Sequence, residues 1–376
     1  MASRMVTIAV IVIVLVIGFA GGYMYSSLTS QPTTKTVVFT TPVEHRYTET
    51  ETVTLTSIET LTTFLPTELS VTQTVTQTFY STFTKEMATT ITYTVVGTVT
   101  KTVAQATQIV LSYPSKPSAE LDLNGDGVTD LFAEVNPWNL NSYKGVQQMV
   151  IDLIKREFRT EINITDANPR QWTNGYPEIY IGRKPWGGRY ANGFGVPFPM
   201  KISNMTPFTI SFYICVERID PSMPFNIAAD AWIVRESVAL KPATAPAKGD
   251  VEIMVWVYRQ NLSPAGRKVG EVTIPIVING TRTNATFEVW RHDSVEWGGW
   301  QYIAFAPKGW GVKCGQIAYD PTLFVQTAKN YATFNITDYY LLDWEIGTEW
   351  GTMSSNGAAM IEWVIRDFVA VPGATI

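Results

Sequence analysis

All 12 Trp and both Cys of this 376-residue chain lie beyond residue 112. A chain divided in this way can build an aromatic-rich core only from its second part. Residues 31–112 are about one third Thr, often in strict alternation, as in Val71-Thr72-Gln73-Thr74-Val75-Thr76-Gln77-Thr78. Gly is nearly absent there. Alternation with β-branched residues favours extended backbone. Few large apolar side chains are available to cover such strands. Two readings stand: a solvated, O-glycosylated spacer, or β-ribbons that need partners. The spacer is the plainer one. It would hold whatever follows away from a surface. Ahead of it, Arg4 precedes an apolar run from Met5 to Met24, with no charge before Lys35. A run of about 20 residues suits a membrane-spanning helix. The positive-inside rule then puts the remainder outside the cell. Ala20, Gly21 and Gly22 leave cleavage of a signal segment as the other reading. The expected organisation is therefore residues 1–30 as membrane anchor or signal, 31–112 as extracellular spacer, and 113–376 as the functional domain.

Beyond Pro114-Ser115-Lys116-Pro117 the chain reads as one domain of short strands. Thr206–Val216, Val251–Tyr258, Val272–Ile278, Phe287–Trp290 and Tyr302–Ala306 all carry strand patterns. Turn signals separate them. Asn279-Gly280 between two strands predicts a hairpin. The main helix candidate is Tyr143–Phe158, which also reads as a strand with a polar insertion. The expected fold is all-β: a sandwich of two antiparallel sheets with one face left for a ligand. Asn-X-Ser/Thr sequons at Asn163, Asn204, Asn261, Asn279, Asn284 and Asn335 fit a glycoprotein outside the cell.

Composition narrows the chemistry. Net charge is -5 and the pI is about 5.3, which argues against nucleic acid as a partner. Two His and two Cys exclude His-rich and four-Cys metal sites. No cofactor or catalytic metal is expected. Carboxylates are the main acid–base groups left. Glu252 sits in Asp250-Val251-Glu252-Ile253-Met254-Val255-Trp256. Period two puts Glu252, Met254 and Trp256 on one strand face and Val251, Ile253 and Val255 on the other. A carboxylate beside a thioether and an indole suits a concave face that stacks a sugar ring. Glu349 lies in Asp343-Trp344-Glu345-Ile346-Gly347-Thr348-Glu349-Trp350-Gly351, where Gly allows close approach of a ligand, or a bulge. Asp230 is a third acid inside an apolar strand pattern. Taken one at a time, such residues are more often solvated edge positions or structural bends. Trp138, Trp186 and Trp256 are stacking candidates, and core packing is the competing reading for each.

These segments resemble glycoside hydrolase family 12, the compact β-jelly-roll endoglucanases, and most closely its thermophilic bacterial and archaeal branch. Glu252-Ile253-Met254-Val255-Trp256 is similar to the family's nucleophile motif. Gly347-Thr348-Glu349-Trp350 is similar to its acid/base motif. Gly175 through Trp186, Leu262 through Gly266 and Asn284 through Trp290 follow the family's order, so the likeness covers most of residues 130–370. The resemblance implies a β-jelly-roll with a concave cleft and an endo-acting, retaining β-1,4-glucanase. Glu252 would be the nucleophile, Glu349 the acid/base, and Asp230 the acid beside the nucleophile. Retention would need the two carboxyl groups about 5–5.5 Å apart. Trp138 and Asn139, in Asn136-Pro137-Trp138-Asn139, would line the cleft with Trp186, Met254 and Trp256. The chain departs from the pattern in Pro137, Cys215 and Cys314.

Three questions stay open at this level. Asp122 to Asp130 has oxygens at the first, third, fifth and ninth positions of a calcium loop. Position twelve is Ala133 rather than the bidentate Glu, and an Asx-rich turn entering the first strand is the plainer reading. Cys215 and Cys314 are either a disulfide or two buried thiols. The rival readings are a non-catalytic glycan-binding surface module, and a Thr-rich structural stalk in a surface lattice with the enzyme as its cargo and surface-layer neighbours as partners.

Overall fold

The computed structural model describes residues 34–41, 54–64, 70–80, 91–98, 100–102, 108–296 and 298–375. The chain forms two compact units, residues 1–104 and 105–376. In the first, Thr34–Thr41 pairs antiparallel with Ile91–Thr98, and Ser70–Tyr80 pairs with both Thr54–Phe64 and Thr100–Thr102. The apolar run from Met5 to Met24 lies outside the described residues. Among the described residues no helix is long and apolar enough to cross a membrane.

Among its described residues the second unit is all-β with two short helices and one 3-10 turn. Its hydrogen-bonded order begins with Gln108–Ser112, Ser142–Asp152, Glu157–Asn168, Ala359–Pro372, Phe208–Ile219 and Cys314–Tyr319. The long hairpin Arg267–Ile278 and Thr281–His292 carries the order into a second layer. That layer continues through Gln301–Pro307, Val251–Gln260, Phe225–Val234, Asp343–Gly347, Glu178–Gly182, Leu131–Glu134 and Ser118–Leu121. Among the described residues of this unit every strand pairing is antiparallel except Val251–Val255 with Gln301–Phe305. Gln108–Ser112 belongs to the sandwich, so the layer begins five residues before the compositional boundary at 112.

Alternation decides which face is wet. Ile210, Phe212 and Ile214 of the first layer share one buried core with Ile253, Val255, Trp344 and Ile346 of the second. Phe208 meets Trp344 edge-on across the layers, with ring centroids 6.5 Å apart. Burying each such ring contributes roughly 1.5–3 kcal/mol. Because the period is two, the intervening residues Glu252, Met254 and Trp256 turn to the opposite face.

Asn279 and Gly280 have φ of 49° and 76°, the pair of positive values that a tight two-residue hairpin needs. The helix candidate Tyr143–Phe158 is instead two strands and a turn. Asp152 accepts hydrogen bonds from the Ile154 and Lys155 N–H groups, and Arg156 takes φ 51°, so the polar insertion is a hairpin turn. The helix that does form, Pro321–Ala328, starts at Asp320, whose carboxylate caps the Thr322 N–H, with Pro at the first turn. Cys215 and Cys314 are register partners on adjacent strands and form a disulfide. In the Asp122–Asp130 loop the two Asp122 oxygens accept from the Gly125 and Gly127 N–H groups, and Asp130 accepts from Leu123. These side chains close an Asx-rich turn.

Candidate active site

The outer face of the second layer carries a cleft of about 770 Å³. Four strands supply its floor. Phe225–Val234 contributes Asp230 and Trp232, Val251–Gln260 contributes Glu252, Met254 and Trp256, Gln301–Pro307 contributes Tyr302, and Asp343–Gly347 contributes Glu345. Loops supply the walls, with Trp138, Trp172 and Trp186 on the rim at 46%, 56% and 49% exposure. Half-exposed indoles at a cleft rim present apolar surface that suits contact with a ligand ring.

Glu252 and Glu349 both reach this cleft, each partly accessible and otherwise enclosed by protein. The Trp300 indole Nε1 donates to Glu252 Oε2 at 2.6 Å. Glu349 lies just past its strand and is held at three points by one buried residue, Asn226. The Asn226 side-chain oxygen accepts from the Glu349 N–H at 2.8 Å. The Asn226 N–H donates to the Glu349 carbonyl at 3.0 Å. Its amide Nδ2 donates to Glu349 Oε2. Gly347 is required by the fold here, since a Cβ on it would come 2.5 Å from the Pro177 carbonyl. Gly351 likewise lets the Trp172 carbonyl within 2.0 Å of where a Cβ would stand. The close approach that these glycines permit is therefore of backbone, not ligand.

Burial pushes the Glu252 carboxyl up to about 7, against the opposing pull of the Trp300 N–H. Burial and then the neighbouring Glu252 charge push Glu349 up to about 8, with the Asn226 amide working the other way. Asp230 is pushed well up by burial, then by Glu252. The cleft thus gathers three carboxyl groups that cannot all ionise together.

A second acidic group lies under one end of the cleft. Buried Lys184 sits 3.0 Å from Glu134, 2.5 Å from Glu178 and 3.6 Å from Glu345. Glu345 is the register partner of Asp230, which links this group to the first. Burial, and after it the Glu345 charge, hold the Glu178 carboxyl well above the ordinary value, against the pull of Lys184. Burial still leaves Glu345 at about 8.

These shifts make a stability prediction. Glu252, Glu345 and Glu349 titrate at about 7, 8 and 8 when folded, against an ordinary value of 4.5. Between those limits the folded chain binds protons that the unfolded chain has released. Stability is therefore greatest near the ordinary value and falls as pH rises through the folded ones. The melting temperature should drop steadily from pH 5 to pH 8.5, and Glu345→Gln should flatten that slope. A melting temperature that is flat or rises over the same range would contradict the burial of these groups as acids.

The structure brings Glu252, Glu349, Asp230, Trp138, Trp186, Met254 and Trp256 to one cleft. Trp256 is 1% exposed, so it builds floor and offers no free stacking face. Asn139 is not a cleft residue. Its amide donates to the Thr173 carbonyl, and its carbonyl accepts from Asn174, so it ties two wall loops together. Sequence reasoning missed Trp232, Asn226, Trp300, Tyr302 and Trp172. Period two from Asp230 reaches both Asn226 and Trp232. Trp300 and Trp172 carry no such signal, because loop geometry alone sets where they point. Among the described residues no group of three or more His, Cys, Asp or Glu could hold a metal ion.

A family model described as glycosyl hydrolase family 12 matches residues 130–370. Among solved structures the chain is similar to a family 12 xyloglucanase from Bacillus licheniformis. The ligand complex aligns at 18% identity and a TM-score of 0.54, covering 70% of this chain and 99% of that one. The native form gives 18%, 0.54, 70% and 100%. A meso-active thermostable cellulase derived from that of Rhodothermus marinus aligns at 18% identity and a TM-score of 0.48, covering 70% and 99%. None of the curated proteins matches. At these identities the structural likeness speaks to fold.

Proposed function

We propose, since the chain belongs to glycosyl hydrolase family 12, that it is an endo-acting, retaining β-1,4-glucanase that cleaves cellulose or a related β-glucan outside the cell. One observation carries the reading: Glu252 and Glu349 converge on one cleft, the Glu252 charge raises Glu349, and each carboxyl is tied by a single neutral donor.

The chemistry follows from that pairing. Glu252, ionised, attacks the anomeric carbon, and the bond to the leaving oxygen breaks as Glu349 gives that oxygen its proton. The product is a glycosyl ester of Glu252. Glu349, now a carboxylate, takes a proton from water as the water oxygen attacks the same carbon and Glu252 departs. Asp230, kept neutral by burial and by Glu252, lets the cluster hold one negative charge rather than two. The exposed rim indoles Trp138, Trp172 and Trp186 suit stacking of glucosyl rings on either side of the scissile bond. A cleft of about 770 Å³ has room for several rings, which fits internal cleavage.

Action outside the cell is supported by the Cys215–Cys314 disulfide and by six sequon asparagines that are all exposed. In this reading the Thr-rich segment is a tether, and the apolar run ahead of it is an anchor or a cleaved signal.

The test is proton NMR of a β-glucan oligosaccharide during cleavage, alongside reducing-end release from carboxymethylcellulose. New ends should appear throughout the polymer, and the first product should carry the β-anomer. The α-anomer would mean direct attack by water. Binding without new ends would point to the glycan-binding surface module instead.

A further inference from the structure

Trp300 lies against the proposed nucleophile. Its indole N–H ends 2.6 Å from Glu252 Oε2. Three other buried indoles differ: the Nε1 atoms of Trp256, Trp350 and Trp363 have no hydrogen-bond partner, whereas that of Trp344 donates to the Tyr319 hydroxyl. A buried indole donor is usually matched, and here the match is the carboxylate of the proposed nucleophile.

The backbone around Trp300 is shaped to present that ring. Gly299 takes φ 76° and donates to the Val295 carbonyl at 2.8 Å, while the Val295 N–H donates to the Trp300 carbonyl at 2.9 Å. This tight turn folds the loop over the ring. Gly298 is the seat: a Cβ there would lie 1.6 Å from the indole. From Gln301 onward the chain joins the strand parallel to Val251–Val255, and the Gln301 N–H is fixed to the Asp250 carbonyl. On the other side Trp232 meets the Trp300 ring edge-on, with centroids 5.0 Å apart. Turn, strand and ring contact leave the indole little freedom.

We propose that Trp300 is the positioning residue for the nucleophile, its N–H fixing one oxygen of Glu252 so that the other faces the anomeric carbon. The proposal rests on the hydrolase reading. A carboxylate that forms an ester through one oxygen gains from having the other held, because rotation about its last bond would waste most encounters. A charge-assisted bond also favours the ionised form that must attack.

The other titratable groups facing Glu252 are Asp230 from the strand on one side, Tyr302 from the strand on the other, and Glu349 across the cleft. None of them supplies the indole signal on which the test depends.

The experiment is 15N-indole NMR of the full chain labelled at Trp, with Trp300→Phe identifying the resonance. In the wild type that resonance should shift with pH in step with the acid limb of kcat/KM. In Glu252→Gln it should no longer titrate. Trp300→Phe should lower kcat about tenfold to a hundredfold with little change in KM. It should also move the acid limb up by about one pH unit, because the donor that favoured the carboxylate is gone. A merely structural role would lower the melting temperature and leave the limb in place. A Trp300 resonance indifferent to pH, or an unmoved limb, overturns the proposal. If Trp300→Phe fails to fold, the wild type and Glu252→Gln still decide through the indole. Failure of the hydrolase reading looks different, since the wild type then cleaves no glucan at all.

Discussion

Glu252→Gln should lose turnover on the order of 10⁴-fold or more while staying folded. The fold survives because the substitution is nearly isosteric and the Trp300 N–H still finds an acceptor in the amide oxygen. It also removes a buried acid whose ionisation costs stability, so at pH 8 the melting temperature should hold or rise. Activity does not survive, because an amide oxygen is too weak a nucleophile to form the glycosyl ester. Substituting Ala opens space beside the anomeric carbon. Azide admitted to the vacated space of Glu252→Ala would attack from the face the carboxylate used and displace the leaving group once. The product would be an α-glycosyl azide, inverted relative to the substrate. Turnover of Glu252→Gln within tenfold of wild type would remove Glu252 from the nucleophile role. A rescued product of retained configuration would move that role elsewhere.

The sequence made the two acids legible for different reasons. Glu252 could be found by periodicity alone: Val251, Ile253 and Val255 had to enter the core, so Glu252, Met254 and Trp256 had to leave it. The same rule, run along Phe225–Val234 from Asp230, reaches Asn226 and Trp232, and the structure puts both to use. Glu349 was visible through its neighbours. Gly347 and Gly351 mark a segment pressed against other backbone, and an acid in such a segment is held in place. What periodicity could not reach were contacts between elements far apart in the chain. Trp300 meets Glu252 across 48 residues, and Asn226 meets Glu349 across 123. Nothing local in Gly298-Gly299-Trp300 says where the ring will land. Asn139 erred the other way. It follows a rim indole in sequence but turns its amide into the wall. In Tyr143–Phe158 the strand with a polar insertion holds and the helix does not, because Asp152 folds the insertion into a turn.

The buried Lys184 group explains why the cleft tolerates so many acids. Lys184 supplies a positive charge among Glu134, Glu178 and Glu345, and burial raises Glu178, which disfavours its ionisation. Glu345 then lies beside Asp230 as part of a group that carries its own cation. Truncating one member would strand the others, a change that typically costs about 3–5 kcal/mol in a buried pair. Burial of this kind favours neutral Asp230, and neutral Asp230 leaves Glu252 as the group that ionises first.

Glu349→Gln should cost about 10²- to 10⁴-fold on a glucan, and far less on an aryl glycoside whose leaving group needs no proton. That contrast follows from the two halves of the reaction. With a phenolate of low pKa, bond breaking proceeds without Glu349, and the glycosyl ester on Glu252 accumulates because no base activates water. A burst of phenolate followed by a slow steady rate is the expected trace. Azide would accelerate the slow phase by attacking the ester, and its product would be a β-glycosyl azide with configuration retained, opposite to that from Glu252→Ala. The pH profile supplies the sign. Glu252 must be ionised, so kcat/KM rises through about 7, and Glu349 must be protonated, so it falls through about 8. The pair titrates together, and each limb belongs to the pair before it belongs to a residue. Removing the Glu252 charge lowers Glu349, since that charge helps raise it. Removing Glu349 should erase the falling limb for aryl glycosides and leave the rising one. A falling limb that persists in Glu349→Gln would assign the proton to another acid of the cleft, with Asp230 and Glu345 next in reach.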